Sequence, residues 1–279
     1  MLLACSLAAL YGLFVWWFAT GAILYLDGLP KRTFPASMLA MTVLAGAGLV
    51  AVYQSRFDAG PVGAYHAFTG ALAVWAWNEM AFLTGWITGP RRVAASANAR
   101  GLERAAQATS MIIWHEAAIL IGFCALWAAA SGGENRLAVY SYGLLWAMRL
   151  SSKFNIFLGV PNAPVSFLPE RLRHLASCFR ERPMNGLFPI VVTITTAGLA
   201  LLIQRAIGAA SEGEAIAYTL LSVFMALAIL EHWFLVLPWQ SEKLWKWGMR
   251  SHHSRLPVEA PLAGVALSSY ADARTKGSL

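Results

Sequence analysis

The chain has 279 residues, of which 58% are hydrophobic and 13% are charged, and its mean hydropathy is +0.56. Soluble domains carry about 25% charged residues, so this composition excludes an ordinary soluble enzyme and indicates a single-domain, multi-span membrane protein. The net charge of +7 does not indicate nucleic-acid binding, because the basic residues lie at the ends of apolar segments, where they set orientation and contact anionic lipid.

Seven apolar segments are each near the roughly 20 residues that a membrane-spanning helix needs. We therefore predict an all-α polytopic membrane protein in which residues 1–250 form one seven-helix domain. The polar segment 251–279 is predicted to be a disordered cytoplasmic tail. In chain order, the predicted spans are Leu3–Leu26, Ala36–Tyr53, Val62–Thr88, Ala108–Ala130, Leu137–Leu158, Gly186–Gln204 and Ala215–Pro238.

The basic residues alternate between the two sides of these spans. Of the 21 lysines and arginines, 18 lie at the connections that follow odd-numbered spans, and only Arg56, Arg136 and Arg205 lie on the other side. Cytoplasmic connections are rich in Lys and Arg, so we predict that the N-terminus is outside and the C-terminus is cytoplasmic. The first segment lacks a preceding basic region and is long enough to span, so we expect a retained helix.

The third span carries a carboxylate, Glu79, within an apolar helix. The pattern predicts that this helix ends at Gly89-Pro90 and enters the cytoplasm at Arg91 and Arg92. An unpaired charge inside the membrane costs roughly 2.5–3.5 kcal/mol. Glu79 therefore needs partners from other spans.

Ionisable residues in four spans are predicted to lie at one depth. Glu79, His115, Arg149 and Glu231 each lie seven to nine residues from the cytoplasmic end of their span. At about 1.5 Å per residue, this places them roughly 10–14 Å from the cytoplasmic edge. The full set is Glu79, His115, Glu116, Arg149, Lys153, Glu231 and His232.

Four interpretations of this set remain open. One is a structural charge network in which Arg149 and Lys153 neutralise the glutamates. Another is a tetrapyrrole site, in which a neutral histidine binds magnesium or iron, and a further one is proton or ion transport. The last is a metal site, although the Glu-x-x-His pattern of di-iron bundles is absent. Its candidate ligands are Glu79, His115, Glu116, Glu231 and His232.

Two cytoplasmic segments have amphipathic patterns. Residues 161–183 place apolar side chains on one helical face among basic residues, which predicts an interfacial helix or a docking surface. Residues 239–250 interleave tryptophans with basic residues, which is typical of an aromatic belt. The arginines expected to bind partners are Arg91, Arg92, Arg171, Arg173, Arg180 and Arg182.

Five stretches support a resemblance to a known family: Leu24–Phe34, Glu79–Arg92, Met148–Asn162, Arg182–Pro189 and Leu230–Pro238. Over about residues 15–250 the chain resembles the PuhE-type photosynthetic complex assembly proteins of purple phototrophic bacteria. The resemblance implies a seven-span protein encoded with photosynthetic reaction-centre genes and located in the bacterial inner (intracytoplasmic) membrane. It implies a role in assembling pigment–protein complexes or in modulating bacteriochlorophyll supply.

The resemblance supplies no catalytic residues. A histidine often precedes the glutamate of the third span in this family, and Asn78 occupies that position here, which counts against a metal or tetrapyrrole site there. We expect an assembly factor rather than an enzyme, with membrane lipid, photosynthetic complex subunits or pigment-synthesis enzymes as partners. The alternative is a membrane-embedded redox enzyme. The candidate cofactors are bacteriochlorophyll, a precursor of it, or a metal.

Overall fold

The computed structural model describes residues 1–253, which form helices and connections without any β-strand. The prediction of an all-α protein is confirmed for this part of the chain. The helices are α1 (Leu2–Asp27), α2 (Phe34–Gln54), α3 (Pro61–Leu83), α4 (Gly101–Ala129), α5 (Leu137–Leu158), α6 (Leu187–Ile207), α7 (Glu212–Phe234) and the short α8 (Arg250–His253).

Five helical segments in the described residues are long and apolar enough to cross a membrane. This matches the composition and indicates a multi-pass membrane protein. Helices α3 and α5, with 23 and 22 residues, are of similar length but carry the internal charges Glu79, Arg149 and Lys153. The five segments are Leu2–Asp27, Lys31–Phe57, Gly101–Ala129, Leu187–Ile207 and Glu212–Phe234.

Helix α3 lies at the centre of the bundle, where it contacts α1, α2, α4, α5 and α7. Its closest neighbour is α2, and small residues permit this approach. A Cβ atom added to Gly70 would lie 2.5 Å from the carbonyl oxygen of Gly48. The two helix backbones are therefore in direct contact, and the centre of the bundle has no room for larger side chains there.

Helix α3 ends earlier than the predicted third span, which was expected to continue to Thr88. The amide of Gly85 donates to the Phe82 carbonyl at 2.8 Å, and the amide of Trp86 donates to the Ala81 carbonyl at 2.9 Å. This pair of bonds is a Schellman cap, which requires a left-handed residue. Gly85 provides it with φ of +77°, so the helix ends at a glycine cap and not at Gly-Pro.

The segment after α3, residues 84–92, runs back along α4 without forming a helix. The carbonyl of Thr88 accepts a hydrogen bond from the amide of His115 at 2.9 Å, and the amide of Arg91 donates to the Ser110 carbonyl at 3.1 Å. Irregular backbone is tolerated at membrane depth only where the protein satisfies its polar groups. These contacts with α4 meet that requirement.

The amphipathic pattern of residues 161–183 leads to a different structure from the predicted interfacial helix. Two 3-10 helices form in its place, Val165–Phe167 and Glu170–Cys178. Leu172 and Leu175 are buried in the protein's own core, so their apolar face is not available to lipid or to a partner. Their buried neighbours in this cluster are Phe82, Met111 and Cys178.

The C-terminal segment folds back onto α1. The indole of Trp245 donates to the Trp17 carbonyl at 2.9 Å, and the indole of Trp17 donates to the Leu244 carbonyl at 2.9 Å. Ser251, predicted to begin the disordered tail, is buried within α8. The rest of that predicted tail, residues 254–279, lies outside the described residues.

A buried carboxylate holds α8 in place. Asp27, at the end of α1, is fully buried, and its Oδ1 lies 2.7 Å from Nε2 of His252. Its Oδ2 lies 3.9 Å from the guanidinium of Arg171. The hydrogen bond with Asp27 is the main cause that raises the pKa of His252 above its ordinary value, while burial and Arg171 act in the opposite direction.

The docking of α8 is expected to weaken as the pH rises. Because the folded-state pKa of His252 is raised, its stabilisation is complete below the unfolded pKa of about 6.5 and is lost as the pH rises through the folded value. Hydrogen exchange of the amides of residues 245–252 should therefore become faster with rising pH by more than the intrinsic pH dependence of the exchange reaction. His252→Gln should remove this excess. An excess that is unchanged in His252→Gln would contradict the assignment.

Candidate functional site: an intramembrane polar cluster

The central contact of the predicted polar set joins α5 to α3. Arg149 donates from Nη2 to Oε2 of Glu79 at 3.1 Å. The Glu79 side chain is 11% exposed and that of Arg149 is 41% exposed. The carboxylate is therefore enclosed by the protein, whereas the Arg149 side chain is partly exposed, although its Nε atom is buried.

A second ion pair joins α5 to α4. Lys153 lies one turn after Arg149, and its Nζ is 2.5 Å from Oε1 of Glu116. The other carboxylate oxygen of Glu116 accepts a hydrogen bond from the indole of Trp146 at 3.2 Å. Both cations of α5 therefore face carboxylates, one on α3 and one on α4.

The third carboxylate, Glu231 of α7, has a different partner. The indole of Trp16 on α1 donates to Oε1 of Glu231 at 2.9 Å. The cluster thus combines three carboxylates with two cations, and Trp16 is the hydrogen-bond donor to the carboxylate that forms no ion pair within residues 1–253.

The two histidines of the set are buried, and within residues 1–253 neither is hydrogen-bonded to a carboxylate of the cluster. His232 on α7 contacts the Ala228 carbonyl through Nδ1 at 2.8 Å and Oγ of Ser151 through Nε2 at 3.0 Å, which joins α7 to α5. His115 is 1% exposed, and within residues 1–253 neither ring nitrogen has a hydrogen-bond partner. Its ring packs on Phe82 with centroids 4.3 Å apart.

The predicted metal ligands do not form a donor set. In the described part of the chain, no three His, Cys, Asp or Glu side chains lie close enough together to hold a metal ion. Glu79 and Glu116 face cations, and His232 faces a serine and a carbonyl. This geometry fits the charge-network interpretation and does not fit a metal centre built from Glu79, His115, Glu116, Glu231 and His232.

Several members of the cluster were missed at the sequence level. Asn78, next to Glu79, is 1% exposed and donates to the hydroxyl of Tyr142 at 3.0 Å. Tyr142 in turn donates to the Ile119 carbonyl at 3.1 Å. These residues and Trp16 are neutral side chains within aromatic or apolar stretches, so the sequence does not mark them as members of a polar cluster. Only Asn78, which is next to the buried Glu79, could have been recognised by its position.

The arginines predicted to bind partners occupy different environments, and one needs correction. Arg171 donates to the Leu83 carbonyl at 2.5 Å and to the Asp27 carbonyl at 3.1 Å, and its side chain is 15% exposed. It therefore joins the ends of α3 and α1 inside the protein. Arg173 is 69% exposed and pairs with Glu170 at 2.8 Å. The other four, Arg91, Arg92, Arg180 and Arg182, are partly or fully exposed.

The fold and the cluster define an all-helical, multi-pass membrane protein with ion pairs between its helices. Within that class, the chain belongs to the family described as "Protein of unknown function (DUF3623)", whose model matches residues 2–255. The chain is also similar to a Rhodobacter capsulatus protein described as "Uncharacterized 30.4 kDa protein in puhA 5'region". The two are 38% identical over 264 residues, which cover 93% of this chain and 94% of that protein. The predicted family relationship is confirmed, and no solved structure matches the chain.

Proposed function

We propose that this protein is an integral membrane factor that acts in the assembly of bacterial photosynthetic pigment–protein complexes or in bacteriochlorophyll supply. The observation that carries the proposal is the relative that matches 93% of this chain and is described as a protein in the puhA 5′ region, together with the resemblance to photosynthetic complex assembly proteins. The proposed location is the bacterial inner membrane, with seven spans.

The polar cluster suggests how such a factor would work. Arg149 lies in the interior of α5, and its side chain remains 41% exposed while it pairs with Glu79. A charged side chain that is partly exposed inside a membrane-spanning helix is costly, so a polar group from a partner helix or a pigment would stabilise it. We propose that this side of α5 is where the protein contacts complex subunits or pigment.

The seven-span topology leads to a prediction of its own. Reporters that are active only in the cytoplasm should work after residues 95 and 176 and at the C-terminus. Reporters that are active only outside should work after residues 57, 133 and 210. The physical reason is the strong excess of basic residues on one side. A C-terminus found outside would contradict the orientation and, with it, the common depth of the polar set.

The function is tested by deleting the gene in a phototrophic host that carries it. Whole-membrane absorption spectra and extracted bacteriochlorophyll are then measured, with the intact gene returned as a control. A role in assembly predicts less pigment bound in complexes per total pigment. A role in supply predicts a changed pigment total at an unchanged bound fraction. Wild-type values for both quantities would overturn the proposal.

The contribution of the α5 surface is tested by complementation with Arg149→Lys. This variant keeps the charge that Glu79 needs but loses the planar fork that binds polar groups in two places. We expect the protein to accumulate normally and to complement less well. Full complementation would show that the guanidinium itself is not part of the working surface.

A further inference from the structure

A cleft of about 330 Å³ lies at the end of the bundle where α3 stops and α2 begins. Its walls come from the α1–α2 connection, from residues 84–92 and from the 3-10 helix Glu170–Cys178. Lys31, Arg92, Arg171 and His174 line it, and none of its described lining residues is an Asp or Glu. We call this site the basic cleft.

Two of the cations that line the basic cleft are not neutralised by a carboxylate of the described residues. Within residues 1–253, neither Lys31 nor Arg92 forms an ion pair with a carboxylate. Arg171 is held by the Leu83 and Asp27 carbonyls, which fixes its charge at one wall. Among the described residues no Asp or Glu lines this space, so Lys31 and Arg92 leave positive charge there, while Arg171 faces the buried Asp27 at 3.9 Å.

Two polar atoms in residues that line the basic cleft are buried without hydrogen-bond partners among the described residues. The hydroxyl of Thr88 has no hydrogen-bond partner among the described residues, although Thr88 is only 3% exposed. The Nε2 atom of His174 is also buried and unpartnered there, while the Arg171 backbone hydrogen-bonds the imidazole. Buried polar groups are normally satisfied, so both atoms point to a ligand that supplies acceptor oxygens.

Backbone hydrogen bonds hold the segment that frames the basic cleft. The Schellman cap at Gly85 fixes the start of the segment, and the Thr88 carbonyl is held by the His115 amide at 2.9 Å. Phe34 and the half-exposed Trp86 add an apolar wall beside the polar groups. The Arg171 guanidinium lies 4.6 Å from the centre of the Phe34 ring, so cations and aromatic surface are next to each other. A site that combines cations, a hydroxyl, an imidazole and aromatic surface suits an amphipathic anion.

We propose that the basic cleft binds a phosphate-bearing anion through Lys31, Arg92, Thr88 and His174, with the headgroup of an anionic membrane lipid as the favoured source. Basic pockets between helices at the cytoplasmic side of membrane proteins bind such headgroups by charge-assisted hydrogen bonds. The aromatic wall favours the lipid over free phosphate, because only the lipid has an apolar portion to place there.

Binding should strengthen as the pH falls. Burial, and next the nearby Arg92, keep the pKa of His174 below its ordinary value, although the hydrogen bond to Arg171 opposes this. An anion oxygen needs a proton on Nε2, so binding is coupled to protonation of His174.

The experiment uses the purified full chain in detergent, titrated with short-chain phosphatidylglycerol and separately with inorganic phosphate, by calorimetry. The Lys31→Gln/Arg92→Gln double variant should bind the lipid at least about tenfold more weakly, because each charge-assisted hydrogen bond is one of the strong ones. The matched control Arg32→Gln/Arg173→Gln removes the same charge outside the cleft. It should change affinity less than about threefold.

Two further variants separate the site from general electrostatics. Thr88→Val should weaken binding several-fold at unchanged net charge, and His174→Gln should abolish the pH dependence. Equal losses in the double variant and its control, or no lipid binding in the intact protein together with no phosphate binding, would overturn the proposal. Phosphate binding that only the double variant loses, without lipid binding, would support the anion site and assign a soluble phosphate ester as its source. Monodisperse elution of each variant controls for folding.

Discussion

Replacement of Arg149 by leucine is expected to lower the amount of folded protein in the membrane several-fold. In the unmutated protein Arg149 donates a hydrogen bond to the Glu79 carboxylate at 3.1 Å. The change therefore leaves this enclosed carboxylate without its cation. Removing one partner of a buried ion pair costs about 3–5 kcal/mol, and the 41% exposure of Arg149 places this pair toward the lower end. A loss of even about 1–2 kcal/mol changes cellular abundance several-fold.

The second substitution in this test identifies the carboxylate that depends on Arg149. Arg149→Leu/Glu79→Gln should recover part of the lost protein, because removal of both partners of a buried pair is far less costly than removal of one. Arg149→Leu/Glu116→Gln should recover less, since Glu116 already has Lys153 at 2.5 Å. Arg205→Leu, an exposed arginine of α6, is the control. Quantification of membrane extracts gives the result, and normal levels of Arg149→Leu would mean that the pair is not structural.

A single methyl group at Gly89 is expected to be among the most destabilising changes in the chain. An added Cβ would lie 2.2 Å from the Ser110 carbonyl oxygen and 2.4 Å from the Met111 carbonyl carbon. Both are backbone atoms of α4, so no side chain can move to make room. Gly89→Ala should displace residues 84–92 and break their hydrogen bonds to α4. Overpacking costs about 1–3 kcal/mol, and each lost hydrogen bond adds about 1 kcal/mol.

The matched control for this prediction is Gly46→Ala. Gly46 lies in α2, and an added Cβ there would meet nothing within 4 Å. This variant should be neutral or slightly stabilised, because alanine favours a helix over glycine. Thermal unfolding in detergent, followed by size-exclusion detection, compares the two. Equal melting temperatures for Gly89→Ala and Gly46→Ala would show that residues 84–92 do not pack tightly on α4.

Some helix limits were predicted closely from the apolar segments and the connections between them. The fifth span was predicted as Leu137–Leu158, which are also the limits of α5. The third span was extended too far, because Trp86 and Ile87 continue the apolar pattern after the helix has ended. The signal that marks the true end was present in the sequence as Gly85, a typical C-terminal cap residue.

The ionisable members of the polar cluster were predicted from the sequence, whereas their neutral hydrogen-bond partners were not. Distance along a helix follows from residue counting, so a common depth for Glu79, Arg149 and Glu231 could be proposed. The rotation of each helix and its neighbours cannot be counted in this way, so the contact between Glu231 and Trp16 was not foreseen. Pairing depends on tertiary packing between helices that are more than 200 residues apart in sequence.

The amphipathic segment shows a second limit. Its pattern correctly identified Leu172 and Leu175 as one apolar face, but a pattern does not say what that face contacts. Lipid, another protein and the chain's own core are each able to cover such an apolar face. Here the core does so, and Arg171 enters the protein with that face and is not left at the surface.

The early end of α3 has a consequence for biosynthesis. The last carbonyl of α3, at Leu83, receives its hydrogen bond from Arg171, which is 88 residues further along the chain. Translation adds about 5–20 residues per second, so this end of α3 waits several seconds for its partner after it leaves the ribosome. The end of the third helix therefore gains this hydrogen bond only after the fifth helix has been synthesised, and a nascent chain that stops before residue 171 leaves the Leu83 carbonyl without it.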